Sequence, residues 1–149
     1  MLRSLLVGFM LVSTVPCGAA ITPPVGEIVR TFAPVGSYGG HWGIDFATEY
    51  GSTVRAAGDG LVTFAGAVNG VRTVTILHGG ALRTSYSYLA SIGVEKGDQV
   101  HAGDGLGESG TDHGVDAVHF SARIGQRYID PALAPSCDAG ALRLAPLDP

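Results

Sequence analysis

The chain has 149 residues, a formal net charge of −4, 46% hydrophobic residues and 15% charged ones. That is enough for one domain with a real core and too little for two. With Lys96 the only lysine and the arginines scattered singly, no surface is expected to track nucleic acid phosphates.

Residues 1–20 read as an export signal: Arg3 supplies the positive end, "LLVGFMLVSTV" the apolar run and "PCGAA" a small-residue end, with cleavage after Ala20. The run is short and is broken by Pro16, so no stable membrane span is expected once it is removed. The product would be secreted, working in the cell wall or periplasm. Cys17 would leave with the signal, and Cys137 would remain as an unpaired thiol.

From residue 21 to 135 the chain reads as one domain. Short runs rich in Val, Ile and Thr, such as "GLVTFAG", "VRTVTILH" and "LRTSYSYL", are bounded every few residues by glycine or polar turns, and the chain holds 23 glycines. Strand formers punctuated in this way predict an antiparallel, all-β fold. Two segments echo each other, "GSTVRAAGDGL" (51–61) and "GDQVHAGDGL" (97–106), which predicts two equivalent hairpins. Carrier domains for biotin or lipoate use similar hairpins with a lysine at a tight tip; Lys96, in "VEKGDQV", is read as lying outside such a tip. After Asp130-Pro131 the composition changes, and 136–149 reads as a tail over the domain or partly disordered.

Five histidines are present, at 41, 78, 101, 113 and 119. In "HWGID", His41 and Asp45 are four residues apart, a spacing that brings two side chains to one face, with Gly43 leaving room for an ion and Trp42 and Ile44 facing the core. His119, on the strand "VHF", is the natural third ligand. Two imidazoles and a carboxylate make an open zinc site with the fourth position left to water. The alternative at this point is a buried histidine hydrogen-bonded to a nearby aspartate.

Taken in order, "HWGIDFATEYGSTVRAAGDGLVTFAG", "VTILH", "TSYSYL", "VEKGDQVHAGDGLG" and "VHF…IDP" resemble the lysostaphin and LytM type of peptidoglycan zinc metallo-endopeptidase, from about His41 to Pro131. The resemblance implies a compact antiparallel β-sandwich or barrel of the duplicated hybrid motif type, with zinc at one end of a groove and bacterial wall peptides as substrates. It implies His41, Asp45 and His119 as zinc ligands, the trio that spacing proposed.

The chain departs from that pattern at two places. Active members carry Tyr-x-His-Leu where this chain has "YSYL", with Tyr88 in the histidine position, and His-x-His where it has "AVH", with Ala117 first. Ser121 follows "HF", where glutamate is common. Tyr88 is then a candidate oxyanion donor, against the alternative of packing in the sheet beside Tyr86. His113, in the Gly- and Asp-rich "GTDHGVD", is the candidate base, on a mobile loop and oriented by Asp112 or Asp116, against the alternative of a solvated histidine. A small Ala117 would enlarge the pocket. His78 reads as structural or groove-lining, and His101 as an exposed strand residue. Two functions follow: an exported endopeptidase cutting peptidoglycan cross-links, or an inactive zinc-bound module that binds peptidoglycan or regulates another wall hydrolase. The intact ligand trio favours the first.

Overall fold

The computed structural model describes residues 21–37 and 39–134. The export segment, both cysteines and the 136–149 tail lie outside the described residues.

The described residues form an almost entirely β structure, as the glycine-bounded runs predict. In chain order the strands are β1 (Ile28–Arg30), β2 (Ala33–Val35), β3 (Gly39–His41), β4 (Ile44–Ala47), β5 (Thr53–Arg55), β6 (Gly60–Val68), β7 (Val71–Leu77), β8 (Leu82–Ser87), β9 (Leu89–Ile92), β10 (Gln99–Val100), β11 (Gly105–Ser109), β12 (Thr111–Asp112), β13 (Val115–Ile124) and β14 (Arg127–Ile129). The large sheet runs β1-β4-β13-β8-β7-β6-β10, with β12 and β14 also paired to β13; β5-β11-β9 form a second sheet, and β2-β3 a ribbon. All pairings are antiparallel.

Alternation along β13 divides the molecule into a core face and a site face. Val118, Phe120 and Ala122 point inward, meeting Ile44 and Phe46 of β4 and Leu82, Thr84 and Tyr86 of β8. Phe120 stands between Phe46 and Tyr86, with ring centroids 6.3 and 5.2 Å away. Its burial is worth about 3 kcal/mol, and a one-residue slip of β13 would forfeit that and turn His119 inward. The core therefore fixes which residues reach the opposite face: Asp45, Ala117, His119, Ser85 and Ser87. Tyr86 is completely buried, its hydroxyl accepting from the Ala57 amide at 2.6 Å; burial raises its pKa to about 12, so it stays a phenol.

The two echoing segments are not hairpins. β5 and β6, from the first, lie in different sheets, as do β10 and β11, from the second. Each segment is a corner where the chain crosses between sheets, and the two corners pair with each other: β5 with β11 and β6 with β10. The Asp59 carboxylate ties them by accepting from the Ala102 amide at 2.8 Å. Lys96 lies outside a hairpin tip, as expected: it sits in a turn closed by Asp98 N–H to Glu95 carbonyl that joins strands of different sheets.

His78, just after β7, is buried and structural. Its ring nitrogens meet the Asp59 carbonyl at 2.7 Å and the Thr84 hydroxyl at 2.8 Å, away from the groove described below. His101 is exposed as expected, just past the end of β10.

Candidate metal centre and its groove

His41 ends β3, the chain bends at Trp42-Gly43, and Asp45 follows on β4. Asp45 is the register partner of His119 on β13, whose other neighbour is Ser87 on β8. Three ligand atoms converge there: His41 Nε2 lies 2.9 Å from Asp45 Oδ1, His119 Nδ1 lies 2.7 Å from the same oxygen, and the two nitrogens are 3.0 Å apart. Among the described residues this is the one group of three His, Cys, Asp or Glu side chains able to share an ion.

The donor set suits zinc. A tetrahedral ion about 2.0–2.1 Å from each ligand needs ligand atoms about 3.3 Å apart, so a small outward adjustment of this triangle admits it. His41 Nδ1–H donates to the Thr31 carbonyl at 2.7 Å, which fixes the tautomer and leaves the Nε2 lone pair facing the other two ligands. Burial lowers the pKa of His119 against the opposing pull of Asp45, favouring the neutral ring that a metal requires. Gly43 has a role other than the one spacing suggested. A Cβ there would sit 2.5 Å from the Phe120 carbonyl oxygen and 2.7 Å from His119 Cε1 and Nε2, so its bare backbone makes room for the His119 ring. Trp42 is not in the core. It packs against Phe32 and Tyr128 at 6.4 and 5.7 Å between ring centroids and borders the groove, whereas Ile44 is buried as expected.

The trio opens on a groove of about 530 Å³ whose walls include Arg30, Trp42, Val71, Tyr88, Asp112 and His113. Tyr88 does not pack beside Tyr86. It follows β8 with φ of +65°, a conformation uncommon for a bulky residue, and this turns its ring to the groove while Tyr86 stays in the core. His113 is on no loose loop: β12 and β13 form a tight hairpin, Asp112 opposite Val115, with His113 and Gly114 at φ of +50° and +84° as a type I′ turn requires. His113 Nδ1–H donates to the Asp112 carboxylate, which is buried, while the imidazole is largely exposed. Asp116 is engaged by the Thr111 hydroxyl instead, at 3.0 Å. The ring centroids of Tyr88 and His113 are 5.6 Å apart, with the planes tilted by 52°. Burial, then the charge of Asp112 and hydrogen bonding to it, raise the pKa of Tyr88, with Asp45 adding to the shift and Arg30 opposing it.

Ala117 is buried beside a cavity of about 150 Å³ bordered by Asp45, Asp112 and His113, so its small side chain does leave space near the trio. The Thr31 carbonyl and Arg30 also reach the site. Neither had a local signal, since both reach the site through pairings with chain ten or more residues away.

The chain matches peptidase family M23 over residues 39–131. It is 34% identical over 95 residues to the DD-carboxypeptidase/endopeptidase Mpg of Neisseria meningitidis serogroup B, a match covering 61% of this chain and 22% of that protein. Its fold is similar to the catalytic domain of the antimicrobial peptidase lysostaphin from Staphylococcus simulans, with 26% identity, a TM-score of 0.61, and coverage of 72% of this chain and 87% of that one. A zinc-containing peptidase from Vibrio cholerae is also similar, with 28% identity and a TM-score of 0.59 over 70% of this chain and 35% of that one. With its folded core spanned by the match, the chain belongs to peptidase family M23.

Proposed function

We propose that this chain is an exported, zinc-dependent endopeptidase acting on the peptide cross-links of peptidoglycan. The observation that carries the reading is the convergence of His41 Nε2, Asp45 Oδ1 and His119 Nδ1, with both histidines lining a groove that also holds Tyr88 and His113. The peptidase names of the neisserial relative and of lysostaphin support it.

His41, Asp45 and His119 would hold the ion with one position left open. When bound, zinc polarises the scissile carbonyl and lowers the pKa of the attacking water to about 7. Tyr88, kept as a neutral phenol by burial and by Asp112, would turn its single O–H from Asp112 to the carbonyl oxygen as negative charge develops there. His113 is the proton carrier: Asp112 holds Nδ1, leaving Nε2 to take a proton from the nucleophile and return it to the leaving amine. A histidine at 117 would have projected from the same strand face as His119. The cavity beside Ala117 is bordered by His113, so an imidazole reaches this region from the neighbouring hairpin instead.

The purified chain is expected to hold one zinc, lost in His41→Ala and His119→Ala, and to release soluble fragments from purified peptidoglycan, with His119→Ala releasing none. Equal release by both proteins would sink the proposal. Zinc without release would favour the inactive module that binds peptidoglycan or regulates another wall hydrolase.

A further inference from the structure

The β1–β4 pairing contains a bulge beside the metal trio. Ile28 lies opposite Phe46 and Arg30 opposite Asp45, so two steps along β1 answer one step along β4. In an unbroken antiparallel ladder Arg30 would fall opposite Ile44, and cross-strand partners share a face, so its side chain would be directed with the core residues. The bulge moves it to the face of Asp45. Bulges re-aim side chains in this way, and they are found next to active sites.

Arg30 accordingly borders both the groove, with His41, His119 and Tyr88, and the cavity beside Ala117. It is exposed, and it forms no salt bridge or side-chain hydrogen bond with another described residue. Of the two acids at the site, Asp45 Oδ1 meets both imidazoles and Asp112 Oδ1 holds His113, and neither forms a salt bridge with Arg30. The groove thus carries, on the wall it shares with His41, His119 and Tyr88, an arginine with no charged partner among the described residues. A guanidinium fork presents two parallel N–H donors that match a carboxylate.

We infer that Arg30 is an anchor for a free carboxylate on the substrate segment bound beside the metal. This rests on the peptidase reading of the groove and names the substrate class: peptides bearing an unamidated carboxylate close to the scissile bond, either the terminal α-carboxylate or that of an acidic side chain.

The test is equilibrium binding to the zinc-loaded chain, by calorimetry, of a wall stem peptide in three forms: unmodified, C-terminally amidated, and amidated at its side-chain carboxylates. The unmodified peptide is expected to bind on the order of tenfold tighter than one amidated form, as hydrogen bonds to charged groups commonly provide; which form weakens identifies the carboxylate. Arg30→Gln is expected to abolish the difference. Arg30→Lys, which keeps the charge and loses the fork, is expected to retain part of it, and it gives the reading should the glutamine variant fail to fold. Equal binding of all three forms, no binding of any, or a preference that survives in Arg30→Gln overturns the inference. Fragment release from whole peptidoglycan is measured alongside. Release without carboxylate discrimination keeps the peptidase and removes the anchor, whereas discrimination without release keeps the anchor and removes the peptidase.

Discussion

The metal trio and the groups beside it are held by different means. Asp45 and His119 are register partners on adjacent inner strands of the large sheet and His41 ends a strand of the ribbon, so the positions of the first two are tied to the packing of Phe46 and Phe120 beneath them. Tyr88 and His113 occupy strand ends and turn positions with positive φ, where a non-glycine residue costs on the order of 1 kcal/mol and is sustained by its surroundings. A slip of the register that places the trio would also displace the core residues beneath it, whereas the placement of Tyr88 and His113 depends on two local turns.

That contrast predicts two classes of damage. His113→Ala and Tyr88→Phe should leave one zinc per chain and the folded structure intact while lowering the rate of fragment release, each on the order of a hundredfold, the usual worth of a proton carrier or an oxyanion donor. Zinc content by elemental analysis beside the initial rate of release separates these effects; loss of metal in either variant would show that the turn residues support the trio. Gly43→Ala should do the reverse. Its Cβ would press on the His119 ring and the Phe120 carbonyl, so zinc affinity should fall by roughly tenfold, in the range seen when groups supporting a ligand are disturbed. Activity should then recover in excess zinc, and a failure to recover would mean that the strain reaches the groove as well.

The strands and the His41–Asp45 pair were legible in the sequence because both depend on local pattern: alternation marks strand faces, and His41, Gly43 and Asp45 lie within five residues, whereas His119, 74 residues beyond Asp45, was reached through its strand and the family resemblance. Pairing partners were not legible. "AGDGL" appears twice and suggested two hairpins, but period-2 alternation says only which face a side chain takes, and the corners at Asp59 and Asp104 send the chain into the other sheet. Likewise "GTDHGVD" read as a mobile loop because it is rich in glycine and aspartate. The same His-Gly pair suits the positive φ values of a tight turn, and it was the pairing of Thr111 with Asp116 that chose between the two. Arg30 was invisible for a related reason, since a bulge is a property of two strands together.

His78 extends the comparison to a histidine with neither role, and it carries the smallest predicted effect. Both its ring nitrogens are taken by protein atoms, the Asp59 carbonyl and the Thr84 hydroxyl, whereas His41 commits one nitrogen to Thr31 and turns the other to Asp45 and His119. Burial lowers the His78 pKa below its ordinary 6.5, outweighing the pull of Asp59 in the other direction. Above pH 6.5 the ring is neutral in both folded and unfolded chains, and its contribution to stability is complete. As pH falls from there through the lowered folded value, the unfolded chain binds a proton that the folded chain refuses, and stability drains away. Further acidification removes no more, because both states are then protonated. His78→Gln, which retains a donor and an acceptor, should therefore be less stable than wild type at pH 7.5 and should lose less on moving to pH 5.5. Urea unfolding of the two proteins across that interval, with the same zinc concentration in every sample, measures the difference directly, since any other proton-linked change is common to both. Parallel stability curves would show that the His78 ring titrates in the folded protein as it does in the unfolded one.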